Sequence, residues 1–308
     1  MQKPSRPLRL GTRGSPLALA QAHMTRAALC ARHGWDEGAV EIVVVQTSGD
    51  RIQDRALAEI GGKALWTKEL DRALIAGEID FAVHSMKDVE TLRPAEIRIA
   101  AMLPRADVRD RLVGAESFEA LPEKPVVGTS SPRRAAQVKR LRPDAEVVLF
   151  RGNVATRLAK LAKGEAHATL LAAAGLDRLG QSDVGVTIPI DVMLPAPSQG
   201  AVGIETLSDN AAMLELLATI SDADTFDCVM AERAVLVGLG GTCHSPIAAL
   251  GRLEDGRIHL RAEIISPDGQ ETVGDSLRID RRDAAAAEAM GCRLLEQASP
   301  ALRALFEP

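Results

Sequence analysis

The chain has 308 residues, 46% hydrophobic and 26% charged, with 37 Lys and Arg against 42 Asp and Glu. That length favours two or three domains, the composition is that of an ordinary globular protein, and a net charge of −5 argues against a nucleic-acid partner. Two Trp, five Phe and no Tyr offer no platform for base stacking, and no run approaches the roughly 18 apolar residues of a membrane span.

Residues 8–11 read as a short apolar strand. Ser15 and Pro16 then place an N-cap and a first-turn proline before a helix over 17–32. Residues 40–46 form a β-branched strand, 63–76 carry helical periodicity, and 79–84 read as a strand. The pattern restarts with a strand over 126–129, the pair Ser131 and Pro132, a helix over 133–141, a strand over 147–150, Asn153 as a cap, a helix over 154–163 and a strand over 168–173. This alternation predicts βα units with largely parallel sheets. Boundaries fall near 103–109 and near the Pro-rich 194–198. Beyond residue 222 a helix (222–237), two strands (257–265 and 271–279) around Pro267-Asp268-Gly269 and a last helix (283–298) suggest a small α+β domain.

The strings LGTRGSPLALAQ (10–21) and VGTSSPRRAAQV (127–138) both run from Gly-Thr at a strand end through Ser-Pro into a helix. Two similar α/β domains would gather such strand ends and helix N-termini around one cleft, where open sheets bind ligands and anions are favoured. Arg13, Arg133, Arg134, Arg151 and Arg157 all fall at these positions. Cations there oppose the helix dipole, so the set implies an anion, and guanidinium forks suit carboxylates; taken singly, each also reads as a solvated surface arginine. Lys87 and Asp88 follow the strand over 79–84, either as a loop ion pair or with Asp88 as a general acid/base or counter-ion. His84 reads as a buried strand-end histidine. The segment 49–63 is either a solvated loop or a lid with Lys63 at its base.

The four cysteines, at 30, 228, 243 and 292, include no CxxC pair, which fits a reducing compartment, so the cytoplasm is expected; the segment 1–13 also lacks the apolar region of a secretory signal. Cys30, Cys228 and Cys292 lie in helical stretches and read as small core residues. Cys243 sits in GLGGTCHSP (238–246), where a ligand can approach closely; composition leaves open whether its thiol reacts. No His pair has metal-ligand spacing, and no metal is expected.

The strings TRGSPLALAQA, GGKALWTKEL, DFAVHSMKDV, VGTSSPRRAAQ, RGNVATRLAKL, AAAGLDRLG, QGAVGIE and GGTCHSPIA together resemble the hydroxymethylbilane synthase (porphobilinogen deaminase) family, in order and across nearly the whole chain. The resemblance implies a transferase that joins four porphobilinogen units head to tail, releasing ammonia, to make hydroxymethylbilane for porphyrin and heme biosynthesis. It implies a dipyrromethane cofactor on a thioether to Cys243, catalysis by Asp88 with Lys87, and cofactor contacts from Thr129, Ser131, Arg133 and Arg134. It implies substrate and chain contacts from Arg13, Ser15, Arg151, Arg157, Arg178, Lys63 and Trp66. The implied fold is two type II periplasmic-binding-protein-like doubly wound α/β domains around a cleft, 1–106 completed by 200–219 and 107–199, plus a smaller α+β domain, 222–308, bearing the cysteine. A cytoplasmic monomer without nucleic-acid or membrane partners is implied as well. Trp66 stands where Phe is frequent, and PSQG (197–200) stands where relatives place Gly before Gln. Two α/β lobes with an arginine-lined cleft also describe an exported solute-binding protein, which gives no reason for a Gly-flanked cysteine on a third domain; a regulator that senses a small dicarboxylate is a third reading, which no DNA-binding helix pair or basic stripe supports.

Overall fold

The computed structural model describes residues 3–46, 67–240 and 245–306. Its elements begin with β1 (Leu8–Thr12), α1 (Pro16–His33), β2 (Val40–Val44), α2 (Lys68–Ile75), β3 (Phe81–Ser85), β4 (Ile97–Met102) and β5 (Asp110–Val113). They continue with β6 (Val126–Gly128), α3 (Pro132–Leu141), β7 (Glu146–Val148), α4 (Val154–Ala162), β8 (Ala168–Ala172), α5 (Ala173–Arg178) and β9 (Val186–Thr187). The last are β10 (Val202–Leu207), α6 (Ala211–Ala218), α7 (Ala223–Leu239), β11 (Ile247–Glu254), β12 (Arg257–Ile265), β13 (Thr272–Ile279), α8 (Ala284–Gln297) and α9 (Pro300–Arg303).

The chain divides into two compact units. The first holds described residues 3–46, 67–106 and 200–226; the second holds 107–199 and those from 227 onward. In the first, five strands run in the order β2-β1-β3-β10-β4. β1 pairs parallel with β2 and β3, while β10 runs antiparallel to both β3 and β4. Alternation along the strands sends side chains to two faces. Leu8, Leu10, Phe81 and Val83 pack with Ala22 and Leu29 of α1 and Met213 and Leu217 of α6. Ala82 and Ile97 pack on the other face with Leu70, Ala73 and Leu74 of α2.

The second unit repeats the plan. Its first sheet has the order β7-β6-β8-β5-β9, with β6 parallel to β7 and β8, and β5 antiparallel to β8 and β9. Leu112 and Leu170 face Val138 of α3, while Val113 and Leu171 face Leu158 of α4 and Leu176 of α5. A parallel trio followed by a reversed strand, with helices on both faces, is the arrangement of a type II periplasmic-binding-protein-like domain in each case.

The third sheet, β11-β12-β13, is an antiparallel meander. Ile258, Leu260, Ala262 and Ile264 of β12 turn alternately onto Val235 of α7 and Met290 and Leu294 of α8. It shares the second unit with the second sheet, whereas the sequence separates them at residue 222. Glu263 accepts from Gln137 Nε2 and from Arg140 Nη1, both at 2.9 Å. At Gly269 (φ +74°) the hairpin turn comes so close to α3 that a Cβ would lie 2.3 Å from the Arg140 nitrogen.

The structure corrects two expectations. The sheets are mixed rather than largely parallel, because β5 and β10, strands that periodicity did not mark, enter them reversed. β4 and β11 were likewise unmarked. Cys292 is exposed rather than a core residue, since the buried stripe of α8 runs through Ala287, Met290, Gly291 and Leu294.

Candidate functional site

In the first unit a pocket opens at the end of β3 and the start of α1, lined among others by Arg13, Ser15, Gln21, His84, Ser85 and Asp88. Local chemistry builds it. Ser15 caps α1 by accepting from the Ala18 N–H at 3.3 Å, with Pro16 in the first turn. The strand then turns through a single 3₁₀ turn, Met86–Asp88, closed by the Val89 N–H on the Met86 carbonyl. Met86 is fully buried, and its N–H is taken by the Ala201 carbonyl, so the turn bearing Lys87 and Asp88 is anchored from beneath. Lys87 and Asp88 are both half-buried. Gln21 Nε2 donates to Ser85 Oγ at 2.7 Å.

Behind this pocket lies a buried ionic cluster that sequence reasoning did not find. The Arg93 guanidinium meets both oxygens of Glu205 (2.8 and 2.9 Å), Asp71 (2.5 Å) and Glu90 (2.6 Å). His84 Nε2 lies 3.0 Å from Glu205 Oε2, and Thr67 Oγ1 donates to Glu90 at 2.7 Å. Burial works against the charge on Glu205, but His84 and Arg93 outweigh it and hold the carboxyl at about 2. At Asp71 burial wins over Arg93, and the carboxyl moves up.

In the second unit the predicted arginines lie at the C-terminal ends of β6 and β7 and the first turns of α3 and α4. Ser131 caps α3 by accepting from the Arg134 N–H at 3.4 Å, and Thr129 Oγ1 accepts from the Ser131 N–H at 3.2 Å. Arg133 and Arg134 are buried, not solvated, and share one carboxylate: Asp110 accepts from them at 2.8 and 2.7 Å. Burial pushes the Arg133 guanidinium down, with Asp110 opposing; burial also opposes the charge of Asp110, but the two arginines hold its carboxyl well below the usual range. Arg151 is buried as well. Arg157 Nε donates to the Gly152 carbonyl at 3.0 Å and its Nη2 to Ser130 Oγ at 3.4 Å. Arg178 ends α5, half-buried, and burial lowers its pKa.

Of the expected site residues, Arg13, Ser15 and Asp88 meet in one pocket of the first unit, while Thr129, Ser131, Arg133, Arg134, Arg151 and Arg157 meet at one edge of the second. Lys63, Trp66 and Cys243 lie outside the described residues. Among the described residues no group of three or more His, Cys, Asp or Glu is placed to hold a metal, and no helix is long and apolar enough to cross a membrane. The residues missed from sequence are Gln21, Asp110 and Glu205. Gln21 carried a signal, since Gln137 holds the equivalent place in the second string; for Asp110 and Glu205 there was none, because an isolated acid in a short strand does not announce burial.

The porphobilinogen deaminase dipyromethane cofactor binding domain matches residues 8–215, and the porphobilinogen deaminase C-terminal domain matches 226–299. The chain is 59% identical to the porphobilinogen deaminase of Sphingopyxis alaskensis over 309 residues, covering 98% of each chain. It is 52% identical to that of Paracoccus denitrificans over 301 residues, covering 96% of this chain and 95% of the relative. Among solved structures, the Bordetella pertussis BvgS VFT2 domain aligns with 70% of this chain and 85% of its own at 16% identity and a TM-score of 0.38. A substrate-binding domain of a putative amino acid ABC transporter from Streptococcus pneumoniae aligns with 69% and 90% at 12% identity and a TM-score of 0.41. Likenesses this slight carry no argument, and the fold rests on the strand orders above. The two domain matches and the near full-length relatives show that this chain belongs to the porphobilinogen deaminase family.

Proposed function

We infer that this chain is the hydroxymethylbilane synthase of its source, condensing four porphobilinogen molecules head to tail with release of ammonia, on a dipyrromethane primer. The observation that carries the reading is the first-unit pocket, in which Asp88 lies with a guanidinium, Arg13, and a hydroxyl, Ser15. Porphobilinogen carries two carboxylates, and Arg13 and Ser15 hold one of them. Asp88 moves protons on and off the bound pyrrole and its leaving amine, and its charge favours positive charge on that ring. Lys87 sits beside it as a neighbouring cation.

The primer fits the second unit by charge and by donor set. Arg133 Nε, Arg134 Nε and an Nη of Arg151 are buried with no hydrogen-bond partner among the described residues, and buried donors left so are costly unless a ligand takes them. When bound, the primer supplies the pyrrole carbon from which the chain grows. Thr129, Ser131, Arg133 and Arg134 hold its carboxylates; Arg151, Arg157, Arg178, Lys63 and Trp66 receive the growing chain; Cys243 anchors the primer through a thioether. The same reading makes the protein a cytoplasmic monomer that binds neither nucleic acid nor membrane.

Intact mass tests this. The purified protein should exceed its chain mass by one dipyrromethane and colour with Ehrlich's reagent after denaturation, and Cys243→Ala should show the bare chain. Asp88→Ala should stay folded and lose about 10²–10⁴-fold in turnover. A bare wild-type mass, or normal turnover without Asp88, sinks the reading.

A further inference from the structure

Polar groups that the proposed roles leave unused converge in the second unit on Asp110, which is 1% exposed. Its Oδ2 accepts from Arg133 Nη2, and its Oδ1 accepts from Arg134 Nη2 and, at 2.8 Å, from the Gln199 amide. The other Nη of Arg133 donates to Gln137 Oε1 (2.8 Å) and the Leu194 carbonyl (3.0 Å). The other Nη of Arg134 donates to the Leu170 carbonyl at 2.8 Å. Both Nη groups of each guanidinium are thus held by the protein. A planar group anchored at two corners cannot swing, so these contacts set the direction of its remaining Nε–H.

Gln199 is itself held. Its Nε2 also donates to the Val108 carbonyl at 2.7 Å. The preceding Ser198 has φ +64°, a conformation that residues with a Cβ disfavour. Its N–H donates to Glu232 Oε2 at 2.6 Å, and Glu232 Oε1 accepts from the Gly251 N–H at 2.7 Å. Glu232 is fully buried and lies on α7, the helix that ends at Leu239, four residues before Cys243 in the chain. A run of buried hydrogen bonds therefore leads from that helix through Ser198 and Gln199 to Asp110 and the two arginines.

We propose that Asp110, Gln199 and Glu232 are positioning residues: they aim the Nε–H groups of Arg133 and Arg134 at the carboxylates of the dipyrromethane primer. The proposal rests on the reading of those arginines as primer-binding. A buried cation pair with one hydrogen-bonded carboxylate retains positive charge for an anionic ligand, and fixed donors bind such a ligand without reorganising.

The test uses the full-length protein as Arg134→Leu, Gln199→Leu and Asp110→Asn. For each, the thermal midpoint, the primer-loaded fraction by intact mass, and kcat and KM for porphobilinogen are measured. Gln199→Leu removes no charge. It is expected to keep its midpoint within a few degrees, load less primer, and lose about tenfold in kcat with KM unchanged within about twofold, because a misaimed primer weakens the step rather than substrate binding. Asp110→Asn should lose more kcat with the same split; should it fail to fold, Gln199→Leu decides. Wild-type loading and kcat in Gln199→Leu, while Arg134→Leu is impaired, overturns the proposal. So does a lowered midpoint with kcat and KM changing together, which marks general loosening. If Arg134→Leu itself loads and turns over normally, the reading of the arginines fails instead.

Discussion

In the first sheet the reversed strand β10 carries Glu205 inward, opposite Ala82 of β3; in the second, its counterpart β5 carries Asp110, opposite Ala172 of β8. The two acids stand at different levels of these equivalent strands, Glu205 near the start of β3 and linked through Arg93 to Asp71 of α2, Asp110 at the end of β8 and against Arg133 and Arg134 of α3, and their surroundings use them in opposite senses. Glu205 shares one guanidinium, Arg93, with Asp71 and Glu90. Asp110, by contrast, is a single carboxylate shared by two guanidiniums, those of Arg133 and Arg134. The first arrangement gathers negative charge behind the pocket of Asp88, where a cationic pyrrole would be favoured. The second gathers positive charge at the strand ends, where carboxylates would be. Duplicated strands do not by themselves fix where a buried charge stands; the residues around each acid decide its place and its sign of use.

The comparison can be broken at its strongest point by Arg93→Leu. Removing the guanidinium that three carboxylates share leaves uncompensated buried charge, with an expected cost of about 3–5 kcal/mol, measured by urea unfolding of the intact chain. A loss near zero would mean that the acids do not need that guanidinium, and the contrast between the units would fail. Next in size is the acid response. The folded carboxyl of Glu205 is held at about 2 against an ordinary 4.5, so its stabilisation is complete above pH 4.5 and is lost as pH falls from there towards 2. Glu205→Gln should be less stable at neutral pH and flatter across that window, read as thermal midpoint against pH. An unchanged slope would remove Glu205 from the acid response. The smallest effect sharpens the likeness rather than the contrast. Ser15→Ala and Ser131→Ala each delete the cap of an equivalent helix and should each cost about 1 kcal/mol; a clear inequality would show that one hydroxyl serves something besides its helix.

Much of this was legible without coordinates. Ser15, Ser131 and Asn153 mark helix starts through short-range hydrogen bonds to the next turn, so local sequence suffices. The strands around 8–12, 81–85 and 168–172 announce themselves by apolar runs. β5 and β10 did not, because each is four to six residues with an inward acid, which reads as loop when its partners are unknown. The arginine set was visible as a pattern, but burial of Arg133 and Arg134 was not: a charged pair near a helix start looks solvated until a distant carboxylate, Asp110, is placed against it.

By itself the sequence determined the helix caps, the repeated strand-turn-helix unit, the site strings and the family, since all depend on neighbours within a few positions or on strings in order. Only the tertiary structure decided which charges are buried, which acid meets which arginine, and that both five-stranded sheets reverse one strand. Those outcomes depend on residues more than twenty positions apart coming within hydrogen-bond distance, and on desolvation, which no local window of sequence contains.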